Sequence, residues 1–282
     1  MTLRASRIAV LGDLSGHLKP LLTTLAELGV EVDSRDVPRR VTWPEDLVVV
    51  QVGDLVHKGP VSELVVAVVE SLFRRTGRWV QLVGNHEAQY LPGGIPFWQP
   101  RIDAVIAAKL GEWWETGFLR PAVAIDDERL GPVLVSHGGL TLRSWQELGE
   151  PDHVGVAAAL ARPEHHARHV LAAGQMAARD ADPGVAWTEP HRELRIPWIV
   201  EGQAGRPVPF SQVHGHAQPL LPPSEGRGVP ADLRRSTTVT PVGHVRTRTG
   251  GREIIGIDPG AGGRPRRPRP LLLSGELHLP GA

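Results

Sequence analysis

Cysteine is absent from the 282 residues, which excludes disulfides, thiolate metal sites and a cysteine nucleophile. An excess of charge is absent too: Lys and Arg total 31, and so do Asp and Glu. Nothing in that balance favours nucleic acid or a membrane as a partner. No apolar run is long enough to span a bilayer; Val61 to Phe73 is too short, and Glu63 and Glu70 interrupt it. The first strand pattern, Ile8 to Leu11, begins too early to leave room for a signal peptide. Internal repeats, a clear domain linker and an obvious covalent nucleophile are missing as well. What is present, 41% hydrophobic residues, suffices for a large core. The expectation is a soluble, cytoplasmic chain forming one domain over residues 1–282.

The N-terminal half alternates strand and helix. Ile8–Leu11, Leu47–Val52 and Trp79–Val83 are short apolar runs that read as buried strands. Leu18–Leu28 and Val61–Arg75 carry helical patterns, with Gly29 and Gly77 as stops. Three such units in a row predict parallel strands joined by right-handed crossovers, with ligands at the strands' carboxyl ends. A helix over Ile102–Thr116, a strand over Val133–Ser136 and a helical region over 150–190 follow. Further strands are expected at Ile196–Val200, Phe210–Val213, Thr237–Val242, Ile254–Ile257 and Leu271–Leu277. A helix-rich half and a strand-rich half suggest one α/β sandwich. Loops 91–100 and 221–236 would set substrate choice, and the Arg/Pro-rich loop 261–270 reads as solvated.

Five segments place Asp, Asn and His where strands end: Gly12-Asp13-Leu14-Ser15-Gly16-His17, Gly53-Asp54-Leu55-Val56-His57-Lys58-Gly59-Pro60, Gly84-Asn85-His86-Glu87, Ser136-His137-Gly138-Gly139 and Val213-His214-Gly215-His216. Any one of them is an ordinary turn or cap. Together they put carboxylate, amide and imidazole on loops held by buried scaffold, which suits a pair of divalent metals. Asp54 is the candidate bridge, because a carboxylate has two oxygens and a charge to share. Asp13 would hold the first metal; Asn85, His137 and His216 would hold the second. A water between two such metals becomes hydroxide near neutral pH, fit to attack phosphorus. His86 is the candidate proton donor to the leaving oxygen.

These segments resemble the calcineurin-like metallophosphoesterase superfamily, nearest its phosphoprotein phosphatase branch and the related diadenosine tetraphosphatases. Gly84-Asn85-His86-Glu87, Ser136-His137-Gly138-Gly139-Leu140 and Gly215-His216 match that branch directly. Trp187-Thr188-Glu189-Pro190 is similar to its Trp-Ser-Asp-Pro stretch, and Ile255-Gly256-Ile257-Asp258-Pro259-Gly260 to its closing Ile-Asp-Thr-Gly. The resemblance implies a four-layer αββα sandwich with two mixed β-sheets and a dinuclear site filled by Mn, Fe, Zn or Ni. It implies a metal-dependent phosphatase acting on a phosphoprotein or small phosphomonoester. A dinucleoside polyphosphate hydrolase, or a catalytically weak relative that binds metal or phosphate, are the alternatives.

Three residues depart from the branch's pattern. Ser15 stands where it has the histidine of the first motif, a weaker donor. His57 and Lys58 stand where the protein phosphatases have Asp and Arg. Lys58 keeps the charge without the planar fork that grips phosphate. His17 and His214 are offered as substitute ligands, the latter because on an extended strand it would face the same way as His216. Lys58, Asn85 and Arg206 are the phosphate-binding candidates, Arg206 for its place between the Trp-Thr-Glu-Pro stretch and the late histidine.

Overall fold

The computed structural model describes residues 1–34, 36–177, 181–217, 231–258 and 267–281. Residues 218–230, which include most of the expected loop 221–236, and 259–266, in the closing motif and the Arg/Pro-rich loop, lie outside the described residues; the rest of the first loop, Ala231–Ser236, is a short helix and not a loop.

The chain opens with β1 (Thr2–Leu11), a small hairpin of β2 (Glu31–Val32) and β3 (Val41–Thr42), then β4 (Leu47–Gln51), β5 (Trp79–Leu82) and β6 (Leu119–Arg120). β7 (Ala122–Asp127), β8 (Gly131–Ser136), β9 (Ser211–His214), β10 (Thr237–Val239), β11 (Val245–Thr249), β12 (Arg252–Gly256) and β13 (Leu271–His278) follow. Apart from the hairpin, they form one eleven-stranded mixed ladder in the order β10-β11-β12-β9-β8-β7-β13-β1-β4-β5-β6. β1, β4, β5 and β6 run parallel, as do β8, β9 and β12. Helices α1 (Leu18–Glu27) and α2 (Ser62–Thr76) make the expected crossovers, and α2 stops at Gly77, whose φ of +61° suits glycine.

Alternation along the strands explains the layering. In β4, Leu47 and Val49 point to the core shared with α1 and α2, while Val48 and Val50 point the other way. That second core is built from strands and their ends: Ile8, Val10, Val48 and Val80 from one side, Val123, Ile125, Val133, Val213 and Ile255 from the other. All of them are buried, and among the described residues no helix residue joins the cluster, so each half of the ladder covers the other. The four-layer α/β sandwich follows, its two expected sheets tied into one ladder through β13. Truncating a side chain in such a core costs about 2–5 kcal/mol.

Some elements differ from the sequence reading. Ile196–Val200 is the start of a helix, Ile196–Gln203, with Pro197 in its first turn, where a missing N–H is harmless. A short apolar run does not by itself separate strand from buried helix. β7 and β11 were not foreseen: β7 is rich in alanine, a poor strand former, and β11 alternates arginine with valine and threonine. β10 stops at Val239, short of Val242. The 150–190 region holds α-helical, π-helical and 3-10 pieces rather than one helix.

Candidate metal centre

Two loops are pressed together at the carboxyl ends of β1 and β4. Leu14 N and Ser15 N both donate to Asp54 O, at 3.1 and 2.7 Å, and Gly16 N donates to Leu55 O at 2.8 Å. The contact is close enough that a Cβ on Gly59 would lie 2.5 Å from Ser15 O. Ser15, Asp54, His57 and Lys58 all take positive φ, between +46° and +69°. Each such residue costs about 1–3 kcal/mol unless its surroundings hold it there. The holding group is Glu87, fully buried in helix α3 (Asn85–Ala88). Its Oε2 accepts from Asp54 N at 2.7 Å and Gly84 N at 3.0 Å, and its Oε1 from Leu55 N at 2.8 Å. The Glu of the Gly-Asn-His-Glu segment thus clamps the Asp54 loop to the Asn85 helix, a role sequence reading did not assign.

The donors meet around His137 Nε2. His137 Nδ1 lies 3.0 Å from Val52 O, a group that can accept and not donate. Nδ1 therefore carries the proton of the neutral ring, and Nε2 presents a lone pair. Facing that lone pair are Asp54 Oδ1 at 3.3 Å, Asn85 Oδ1 at 3.3 Å and His216 Nδ1 at 3.2 Å. Burial pushes His137 well below the usual imidazole range and His216 down to about 4, so neither ring brings a charge. A carboxylate oxygen, an amide oxygen and two uncharged imidazole nitrogens converging on one point are a donor set that suits a cation.

The Asp13 side is thinner. Asp13 Oδ1 accepts from His216 N at 3.1 Å, and a Cβ on Gly215 would fall 2.5 Å from the same oxygen. Asp13, Asp54 and His137 place ligand atoms within 4.8 Å of one another. Two buried oxygens here have no hydrogen-bond partner: Asp54 Oδ2 and Ser15 Oγ. Burial pushes the Asp54 carboxyl up to about 8, with Glu87 adding and Lys58 opposing. Burial likewise raises Asp13, helped by Asp258, a third carboxylate at the end of the strand region that sequence reading left without a role. Buried carboxyls with an unpartnered oxygen suit a cation.

The remaining candidates divide. Lys58 Nζ lies 3.8 Å from Asp54 Oδ2 and His86 Nε2 lies 3.8 Å from the same oxygen, so both belong to the centre. His214 does not. Its Nδ1 donates to Gly215 O at 2.9 Å and its Nε2 accepts from the buried Arg195 at 2.9 Å. The expected alternation fails because His216 takes a φ of +68° and leaves the extended path. His17 stands at the N-cap position of α1 without a side-chain capping bond and is not among the converging ligand atoms of the described residues. Arg206 is largely exposed and spends both of its bonds on Glu201, five residues back. Phe97 and Trp98, each with its ring 5.0 Å from that of His86, wall the proton-donor side.

Fold and donor set together define a metallohydrolase of the α/β sandwich class. The sequence profile of the calcineurin-like phosphoesterases matches residues 6–194, and the chain belongs to that family. It is a metal-dependent hydrolase of phosphoric esters. A search of the curated proteins found no match. Among solved structures the chain is similar to a cold-active protein tyrosine phosphatase, at 17% identity and a TM-score of 0.49, over 92% of this chain and 78% of that one. It is similar to a protein tyrosine phosphatase of a psychrophilic Shewanella species at 15% identity, TM-score 0.48, over 96% and 81%. A candidate diadenosine tetraphosphatase aligns at 18% identity, TM-score 0.38, over 89% and 93%. At these scores none of the three bears on the chemistry of this chain. No helix among the described residues is long and apolar enough to cross a membrane.

Proposed function

We propose that this chain is a dinuclear phosphatase for phosphoproteins or small phosphomonoesters, with a cytoplasmic location and Mn²⁺ as the first ion to test. The observation that carries the reading is the unprotonated His137 Nε2 faced by Asp54, Asn85 and His216. Asn85, His137, His216 and Asp54 would hold one ion; Asp13, Asp54 and Ser15 would hold the other. When bound, such ions supply Lewis acidity and a nucleophile at neutral pH. Lys58 offers its charge to the phosphoryl oxygens from beside Asp54. Asn85, its Oδ1 turned to His137, keeps its N–H groups to donate to them. His86, with Nε2 facing the same space, donates a proton to the leaving oxygen.

The test is metal content per chain, paired with turnover of p-nitrophenyl phosphate, a phosphopeptide and diadenosine tetraphosphate, with and without Mn²⁺. Two ions per chain and metal-dependent turnover of the monoesters are expected. Preference for the dinucleotide would replace the substrate assignment. Bound metal with no turnover under any divalent ion would leave a binding protein, the reading that Ser15 favours.

A further inference from the structure

His57 occupies the position where related protein phosphatases carry an aspartate, and the structure gives it two partners of its own. His57 Nδ1 lies 2.6 Å from His86 Nδ1, and His57 Nε2 lies 2.7 Å from the hydroxyl of Tyr90. The Tyr90 oxygen also accepts from Ile102 N at 3.1 Å, at the end of the loop that carries Phe97 and Trp98. We propose that Tyr90, His57 and His86 form a proton relay, in which Tyr90 and His57 fix the His86 proton on Nε2 and replace it as it leaves. The proposal rests on the reading of His86 as the proton donor.

The direction of the chain follows from counting protons. The Ile102 amide can only donate, so it takes one acceptor site of the Tyr90 oxygen and leaves the phenolic hydrogen free to point at His57 Nε2. A neutral His57 that accepts at Nε2 carries its hydrogen on Nδ1. That hydrogen points at His86 Nδ1, so a neutral His86 carries its own on Nε2, the atom that faces Asp54 Oδ2. The opposite arrangement would give Tyr90 two N–H donors and leave its hydrogen without an acceptor among the described contacts. Gln89 Nε2, 3.4 Å from His57 Nδ1, has His86 O as its acceptor, and Gln89 Oε1 accepts from Trp98 N at 3.3 Å.

Both rings are buried, at 5% and 2% exposure, so an imidazolium at either place is costly. The relay avoids one. As the P–O bond of the substrate breaks, the leaving oxygen takes the Nε2 hydrogen of His86. His86 Nδ1 takes the hydrogen of His57 Nδ1, and His57 Nε2 takes the phenolic hydrogen. Both imidazoles end neutral with their hydrogens on the opposite nitrogens, and the negative charge rests on the Tyr90 oxygen. Burial raises the Tyr90 phenol above its ordinary value, and the Ile102 N–H together with the Arg101 guanidinium, 5.0 Å from the ring centre, offsets part of that cost. Before the next turnover a water gives a proton to His86 Nε2 and leaves as hydroxide; His86 Nδ1 then passes its hydrogen to His57 Nδ1, and His57 Nε2 passes its own to the Tyr90 oxygen, which resets the chain. His57 and Tyr90 are positioning and relay residues, since neither touches the reacting atoms.

The experiment compares phenyl phosphate, a poor leaving group that needs the proton, with p-nitrophenyl phosphate, a good one. General-acid assistance is worth about 10²–10⁴ in rate. In Tyr90→Phe and His57→Leu the turnover of phenyl phosphate should fall at least about tenfold further than that of p-nitrophenyl phosphate, with metal content unchanged. His57→Asn, whose amide can donate to His86 Nδ1 but cannot pass a proton on, should keep the fold and show the same split. Nitrogen-15 spectra of histidine-labelled protein loaded with Zn²⁺ should place the His86 hydrogen on Nε2 and the His57 hydrogen on Nδ1. Equal losses on both substrates, or His86 carrying its hydrogen on Nδ1, would overturn the relay. His86→Ala separates the two claims: if it too loses both substrates equally, the proton-donor reading fails, and if it shows the split while Tyr90→Phe does not, the relay alone fails.

Discussion

Four donors surround the proposed second metal position, each delivered from a different segment of the chain; the proposed first position has Asp13, a share of Asp54 and a serine hydroxyl without a partner. His137 arrives at the end of β8, His216 just past β9, Asp54 past β4 and Asn85 at the head of α3, so strand packing sets their spacing. The first position depends on one loop, Gly12 to His17, shaped by positive φ at Ser15 and Gly16. A neutral hydroxyl is also a weaker donor than an imidazole. The two halves of the centre should therefore differ in affinity, the second filling before the first.

The sharpest test of that contrast is the residue both halves share. Asp54→Asn keeps the shape and removes the charge, and it should lower p-nitrophenyl phosphate turnover by about a thousandfold or more, about 4 kcal/mol of barrier. Metal content should drop at both positions. A variant that kept two ions would deny Asp54 its place between them. His137→Ala, measured alongside, should lose one ion and leave a second that binds no better than the weak site of the unaltered protein.

Much of the centre was legible because apolar strands ending in Gly-Asp or Gly-Asn-His carry their meaning locally. Asp13, Asp54, Asn85 and His137 sit where the pattern of β1, β4, β5 and β8 put them. What was not legible depends on distance along the chain and on backbone angles. His57 meets His86 across 29 positions and Tyr90 across 33, through a φ of +69° that no periodicity reports. His214 was misread for the same reason, since a left-handed His216 breaks the alternation. Arg206 was placed by order in the sequence, and order does not show that Glu201 lies within its reach.

Weakening the poorer half should cost less. Ser15→Ala removes the unpaired hydroxyl and should lower the affinity of the first ion by about tenfold, about 1.4 kcal/mol, leaving the second unchanged in a metal titration. Equal losses at both positions would mean that the loop, and not the hydroxyl, matters.

The acidity of the buried carboxyls offers a further test. The Asp54 carboxyl is raised from 3.8 to about 8 by burial, so the folded chain keeps a proton that the unfolded chain has lost. Between those values the folded state binds more protons, and stability falls as pH rises until it levels off above about 8. The melting temperature of metal-free protein should thus be lower at pH 8 than at pH 5. Metal ions displace that proton, so Mn²⁺ should restore more at pH 8 than at pH 5. A flat melting temperature without metal would show that the carboxyls are not held as close as the structure has them.

The smallest effects belong to the two residues that the centre does not use. His214→Ala takes a partner from Arg195, a guanidinium fully buried beside Thr247 and Pro190 O and, among the described residues, within ion-pair distance of no acid. An unmet donor there should cost about 1–3 kcal/mol of stability by urea unfolding, with metal content intact. Arg206→Ala, by contrast, takes a largely exposed guanidinium from Glu201, whose carboxylate is buried, so its cost should fall on local stability and not on phosphate binding. Its KM for p-nitrophenyl phosphate should match that of the unaltered protein. A raised KM would mean that Arg206 leaves Glu201 for the phosphate when substrate arrives, and the phosphate grip would then extend beyond Lys58 and Asn85.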